Sequence, residues 1–482
     1  MNPLVQSFLA SLEREAPDTR ALESLGEPDP IKAANTFLRA AAHPDLCATR
    51  EIWVPALLLS ARPGFGVQCL EELATRYRET RQRPLELGRV PALPRVLGSS
   101  DFLARLLLRH PHWIEQLAGD PPDPPRADAV EPDWTAIRIA KYQGLLRIVA
   151  RDLHGRPFEQ SLYELSALAD GCLEAALTCA AAETKVSAPT LFGLGKLGGR
   201  ELNFSSDVDL LFIYEAEAGE ADLARNQELA RLIQTLKRHL EAPSEDGFAY
   251  RVDLDLRPEG RTGVLANSVE AALRYYETFG ADWERQMLIR LRYVAGPRSV
   301  AEVFTTEVTP FVYRGLIDPS AIRGVRDMKR RLEAEHRSKG RDLEADLKSG
   351  PGGIRDVEFL LQAFQLLYGG REPEIRNGNV LEALTALAKL GLLPDTVATA
   401  LRDAYLWLRR AEHAVQLVEE RQTHYMPRDP RQQLALARRM GYRDAEGSEA
   451  RNRLLDDWTS VRARVREQFE ALILEASDEP SR

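Results

Sequence analysis

The sequence predicts an α+β fold, mostly α overall, in which a small mixed sheet is flanked by N- and C-terminal helical regions. Two observations predict it. Apolar residues recur at helical spacing over most of the chain. Three short apolar or alternating runs, TLFGLG (190–195), VDLLFIY (208–214) and AYRVDLDLR (249–257), gather in the middle and are the only convincing strands. No tandem repeat appears.

At 482 residues the chain exceeds one ordinary core and is expected to form about three folding units. Residues 1–120 read as short helices: LVQSFLASLERE, PIKAANTFLRAA and DFLARLLLRH each carry apolar residues at helical intervals. A Pro- and acid-rich segment, DPPDPPRADAVEPDW, follows, and residues 121–134 are expected to be an extended linker. Helical periodicity resumes from Trp134 to about Ala182, and a long helix is expected near 221–241. The sheet-bearing domain with its preceding helices is placed at 135–300, and a C-terminal helical bundle at 301–482. In that bundle LRDAYLWLRRAEHAVQLVEE puts Leu401, Tyr405, Leu408, Val415 and Val418 along one stripe.

Hydrophobic residues make up 44% and charged residues 28%, which is the balance of a globular chain rather than a disordered or membrane one. The net charge of −9 leaves no global basic field for a nucleic-acid backbone, so no nucleic-acid partner is expected. Only nine of the 64 basic residues are lysine, a skew that GC-rich coding produces without functional demand. The four cysteines Cys47, Cys69, Cys172 and Cys179 form no CxxC pair, so neither a disulfide framework nor a zinc site is expected. The opening MNPLVQSFLASLERE has no cationic leader ahead of an apolar core, and no uninterrupted apolar stretch approaches the ~18 residues of a membrane span. A cytoplasmic location with no membrane partner is the expectation.

Chemistry concentrates between the first two strands, in GLGKLGGRELNFSSDVDL. In a strand, residues i and i+2 share a face, so Asp207 and Asp209 present two carboxylates side by side. Two such carboxylates repel, and Mg2+ relieves this because it takes hard oxygen ligands and bridges carboxylates to phosphate oxygens. Gly198 and Gly199 allow close backbone approach to a polyphosphate. YRVDLDLRP supplies a third carboxylate: Asp253 and Asp255 are expected on one face, with Arg251 and Arg257 beside them to bind phosphate or quiet the acids. Lys196 and Asn203 either contact phosphate or brace the loop, and Ser205 and Ser206 either donate to phosphate or turn the chain. In GPGGIRDVEF, Asp356 and Glu358 suit the positive end of a helix. Trp283 and Glu284 read as packing or helix-anchoring residues, and His413 and His424 as structural. Strand, Gly-Gly turn, Asp-x-Asp strand and a later acidic strand, in that order, form the pattern of the polymerase-beta-like nucleotidyltransferase fold.

At these residues the sequence resembles the glutamine synthetase adenylyltransferases, or adenylyl-removing enzymes. GLGKLGGRELNFSSDVDLLFIY, YRVDLDLRPEGRTGVL, FGADWERQMLIRLR, KSGPGGIRDVEFLLQAFQLLYGG and RQTHYMP carry the resemblance, over roughly residues 190–427. It implies a two-ion Mg2+ site on Asp207, Asp209 and Asp253, with glutamine synthetase, ADP or ATP and phosphate as partners, and a PII-type signalling protein as a further one. DWERQMLIRLR and GPGGIRDVEF are more similar to the N-terminal, AMP-removing unit, which implies phosphorolysis of an AMP-tyrosine bond with release of ADP. Glu358 is a possible site residue by the same resemblance. The family commonly has arginine where this chain has Asp255, which leaves Asp255 open as a ligand. Two other readings stand beside removal: ATP-dependent AMP attachment to a glutamine synthetase tyrosine, and a non-catalytic module that binds glutamine synthetase or a PII-type protein.

Overall fold

The structure, a computed structural model, describes residues 2–118, 130–216, 222–315, 320–443 and 449–475. Most of the 121–134 linker expectation therefore lies outside the described residues. The chain divides into two compact units. One comprises Met1–Pro124, Gln143–Ser161 and Arg409–Ser460; the other comprises Pro125–Tyr142, Leu162–Leu408 and Val461–Arg482.

The first unit is helical. Its N-terminal helices Pro3–Glu13 and Pro30–Ala42 begin where Asn2 and Asp29 side chains accept backbone N–H groups and a proline takes the first turn. Phe8 meets Phe37 edge-on at 5.1 Å, and Phe37 stacks on Trp53 at 5.9 Å, all three fully buried. Asp101–Arg109 is capped by Ser100, which also donates its hydroxyl to Leu417 O at 2.7 Å. His413 is buried against Phe158 at 5.3 Å, the structural place expected of it.

The second unit carries the sheet, and the α+β, mostly helical fold is as expected. β1 (Thr190–Gly193) pairs antiparallel with β2 (Val208–Tyr214). β3 (Val252–Asp253) and β4 (Ala266–Ser268) pair in parallel with the two ends of β2, and β5 (Arg292–Ala295) pairs antiparallel with β1. The sheet order is β3-β2-β1-β5, with β4 beside β2. Two strands, β4 and β5, correct the expectation of three. The third predicted strand is also shorter than expected: it stops at Asp253, where the Asp255 N–H donates to Asp253 Oδ1 at 2.7 Å and turns the chain. Asp253 and Asp255 thus do not share a strand face.

Alternation along β2 positions the site. Leu211 and Ile213 point into a core with Phe192, Tyr276 and Phe304, under helices Val269–Phe279 and Arg298–Val312. Asp209 continues the same alternation toward the strand's start, beyond that core. One face therefore changes from oily to acidic within two residues. Among the described residues one helix, Phe158–Thr184, is long and apolar enough to cross a membrane, and 61% of its apolar window is buried in the fold.

Candidate active site

Val208 pairs with Val252 and Asp209 with Asp253, so the two acids are direct neighbours on parallel strands about 4.8 Å apart. Asp207 lies just before β2. Burial first, then the charge of Asp253, pushes the Asp209 carboxyl up to about 6; Lys348 and Lys196 draw it back, and Asp207 pushes it further up. Three acids and two lysines thus share one electrostatic neighbourhood. Lys348 opens the KSGPGG segment, about 140 residues from Asp209, and sequence reasoning gave it no role at the site. Its loop is pinned from below. Lys329 Nζ donates to Ser349 O at 3.3 Å and pairs with the fully buried Asp356, which accepts the Gly352 N–H at 2.7 Å.

The predicted residues separate into those near the acids and those that hold the frame. Asp207 pairs with Arg251, whose guanidinium also donates to Ser205 O and Oγ at 3.2 and 3.1 Å. Ser205 therefore accepts from Arg251, and Ser206 Oγ accepts the N–H of the buried Asn203 at 3.0 Å. Asp207, Asp253 and Asp255 line a cleft of about 600 Å³ with Lys237, Arg251 and Arg261. Asp255 is held by Arg261 at 2.7 Å. Arg257, expected at phosphate, lines that cleft but spends its donors on carbonyls: Nε on Gly263 and Val264, Nη1 on Leu254, Nη2 on Arg261 and Gly263. It braces the turn after β3.

Gly198 and Gly199 sit at close backbone contacts. Both are buried, and a Cβ would stand 1.8 Å from Arg290 O at Gly198 and 2.8 Å from Gly378 O at Gly199, so they permit backbone packing. The glycine beside the acids is Gly195, which sequence reasoning passed over. Its φ is +51°, and a Cβ there would lie 2.2 Å from Asp209 Oδ2. The first glycine after GL in GLGKLGG was the available signal. Beneath this turn Glu201, fully buried, accepts Val380 N–H and Tyr405 O–H at 2.9 Å each and lies 3.4 Å from Arg290. Arg290 holds Glu358 at 3.1 Å, which makes Glu358 part of the frame around the turn. In DWER, Glu284 accepts the Ala281 N–H at 2.8 Å as a helix cap, whereas Trp283 is 38% exposed and not in the core.

Whether these residues fit Mg2+ can be tested on the donors. Asp209 and Asp253 stand side by side as hard oxygen donors, with Asp209 held back from ionising first by burial and then by the Asp253 charge, and they fit. Among the described residues, no three acidic, histidine or cysteine side chains already close on one point. The Asp207 carboxylate is engaged by Arg251.

The fold and this acid-bearing sheet define a nucleotidyltransferase-like α+β protein. Residues 90–307 match the glutamate-ammonia ligase adenylyltransferase family, and residues 326–473 match the GlnD PII-uridylyltransferase family. A bifunctional glutamine synthetase adenylyltransferase/adenylyl-removing enzyme of Stenotrophomonas maltophilia is 40% identical over 78% of this chain and 42% of its own length. Its namesake in Xanthomonas campestris is 38% identical over 79% of the chain and 42% of its own length. Over residues 90–307 the chain is therefore similar to the glutamate-ammonia ligase adenylyltransferase family. It spans less than half the length of these curated relatives.

Proposed function

We propose that this chain removes AMP from an adenylylated glutamine synthetase tyrosine by phosphorolysis, with Asp207, Asp209 and Asp253 as the metal-binding, catalytic carboxylates. The observation that carries the reading is the pairing of Asp209 with Asp253 beside Gly195, with lysines 196 and 348 close enough to act on the Asp209 charge. An oxygen of inorganic phosphate attacks the AMP phosphorus, the bond from phosphorus to the tyrosine oxygen breaks, and the products are ADP and a tyrosinate that takes a proton from water. Magnesium, when bound, supplies charge neutralisation at the phosphoryl oxygens and the departing oxygen.

The chain's own residues do the rest. Asp209 and Asp253, on adjacent strands, would hold the cation together with Asp207, whose carboxylate is paired with Arg251. Gly195 keeps the space in front of Asp209 open. Lys196 and Lys348 offset the charge of an incoming phosphate dianion, which would otherwise meet a wall of carboxylates. Phosphate arrives ionised, so this direction needs no general base; attachment would require a tyrosine hydroxyl of pKa ~10 to be deprotonated. Removal is further supported by the likeness of DWERQMLIRLR and GPGGIRDVEF to the AMP-removing unit, and by the printed names of the relatives, which include adenylyl removal. The match of residues 326–473 to a PII-uridylyltransferase family supports a PII-type partner.

The test is to incubate the chain with adenylylated glutamine synthetase, Mg2+ and phosphate and to measure ADP. ADP release dependent on phosphate is expected. AMP incorporation from ATP without ADP release from the adenylylated protein would reverse the direction. Retention of every effect by Asp207→Asn would replace catalysis with binding.

A further inference from the structure

The helical first unit carries an open cleft of about 590 Å³ that the proposed chemistry does not use. Its walls are largely apolar, with Phe65, Val415, Met426 and Leu434 among them. Four arginines, Arg62, Arg431, Arg438 and Arg439, also line it, against the single carboxylate of Glu27. Glu27 accepts the Gly64 N–H at 2.9 Å, and Arg62 is paired with Asp101. Arg439 is different. It is 92% buried, its Nε donates to Ser99 O at 2.7 Å, and among the described residues no carboxylate pairs with it.

A buried guanidinium without an acid is unusual, because taking the charge out of water is costly unless an anion compensates it. Burial and the neighbouring Arg62 charge lower the Arg439 pKa to about 10, the mark of a cation lacking its counter-charge. Helix packing alone does not ask for arginine here: Leu434 and Leu436 on the same helix, Pro430–Arg439, show what the core accepts. The guanidinium fork matches a carboxylate edge-on with two parallel hydrogen bonds, and the apolar walls suit a hydrocarbon body rather than a hydrated polyanion.

We infer that this cleft is a binding site for a small carboxylate with an apolar body, its acid group held by Arg439 and its body against Phe65, Val415 and Met426. The ligand is monovalent and small-molecule in size. The site lies wholly within the first unit and does not depend on the direction of nucleotidyl transfer.

The test uses the full chain, with hexanoate and benzoate as probes and hexan-1-ol and inorganic phosphate as controls, read by thermal shift and by titration calorimetry. The carboxylates are expected to raise the melting temperature with affinity on the order of 1 mM, and the controls to leave it unmoved. Arg439→Gln is expected to weaken hexanoate at least about tenfold, the loss of one charge-assisted pair. Should that variant fold poorly, Gln432→Trp at the exposed rim fills the mouth, keeps Arg439, and is expected to abolish the response. A response to hexan-1-ol equal to that to hexanoate, a response to phosphate alone, unchanged affinity in Arg439→Gln, or no response to either carboxylate would each overturn the inference.

Discussion

Asp209→Asn isolates the cost of assembling carboxylates without a cation. An ordinary aspartate ionises at 3.8 and Asp209 at about 6, so its ionised form is disfavoured in the folded state by about 3 kcal/mol, or nearer 2 after partial solvent screening. The sign follows from proton counting. Below pH 4 both folded and unfolded chains hold the proton and Asp209 contributes no pH dependence. Between 4 and 6 the folded chain keeps a proton that the unfolded chain has released, so wild-type stability falls as pH rises through this window. Above 6 the full cost is present. The asparagine variant has no such titration, so its advantage should open between pH 4 and 6 and stay level to pH 8. In EDTA at pH 8 the variant should melt about 5 °C or more above wild type, since 1 kcal/mol moves a unit of this size by roughly 2–4 °C. Scanning calorimetry across pH 4–8 reads the difference. A gap that does not widen with pH, or a variant that melts lower at pH 8, would refute the reasoning.

Other substitutions probe the frame. Gly195→Ala puts a Cβ 2.2 Å from Asp209 Oδ2 at a φ of +51° and should cost about 1–3 kcal/mol of stability and most ADP-forming activity, with far-UV circular dichroism unchanged. Arg251→Met removes the competitor for Asp207 and should tighten Mg2+ about fivefold by calorimetry, as expected from losing an ion pair of about 1 kcal/mol. Glu201→Gln leaves Arg290 short of one buried partner and should destabilise by about 3 kcal/mol in urea denaturation, more than any surface charge removal.

Much of this architecture is legible because its signals are local. Periodicity and caps mark Pro3–Glu13, Pro30–Ala42 and Asp101–Arg109, and alternation marks β2, since one face of Val208–Tyr214 must meet a core. β4 has three residues and no period of its own; its parallel partner β2 lies some fifty residues earlier and supplies the hydrogen bonds. β5 directly follows the helix Asp282–Leu288, and the apolar run LIRLRYVA conceals the change of period. Asp207 lies just before β2, whereas the Asp209 position is readable from the alternation along the strand. The role of Gly195 is not, because it rests on contact with Asp209, and neither is the approach of Lys348 or the capture of Asp207 by Arg251. The close backbone packing at Gly198 and Gly199 against Arg290 and Gly378 is likewise visible only in three dimensions.

The most direct measurement is Mn2+ binding, read by electron paramagnetic resonance with ADP present, in wild type, Asp209→Asn and Asp253→Asn. The account predicts bound Mn2+ in the wild type and at least about a tenfold loss of affinity in each variant, the effect of removing one charged ligand. Equal binding in all three proteins would contradict it, because two neighbouring acids on β2 and β3 would then hold no ion.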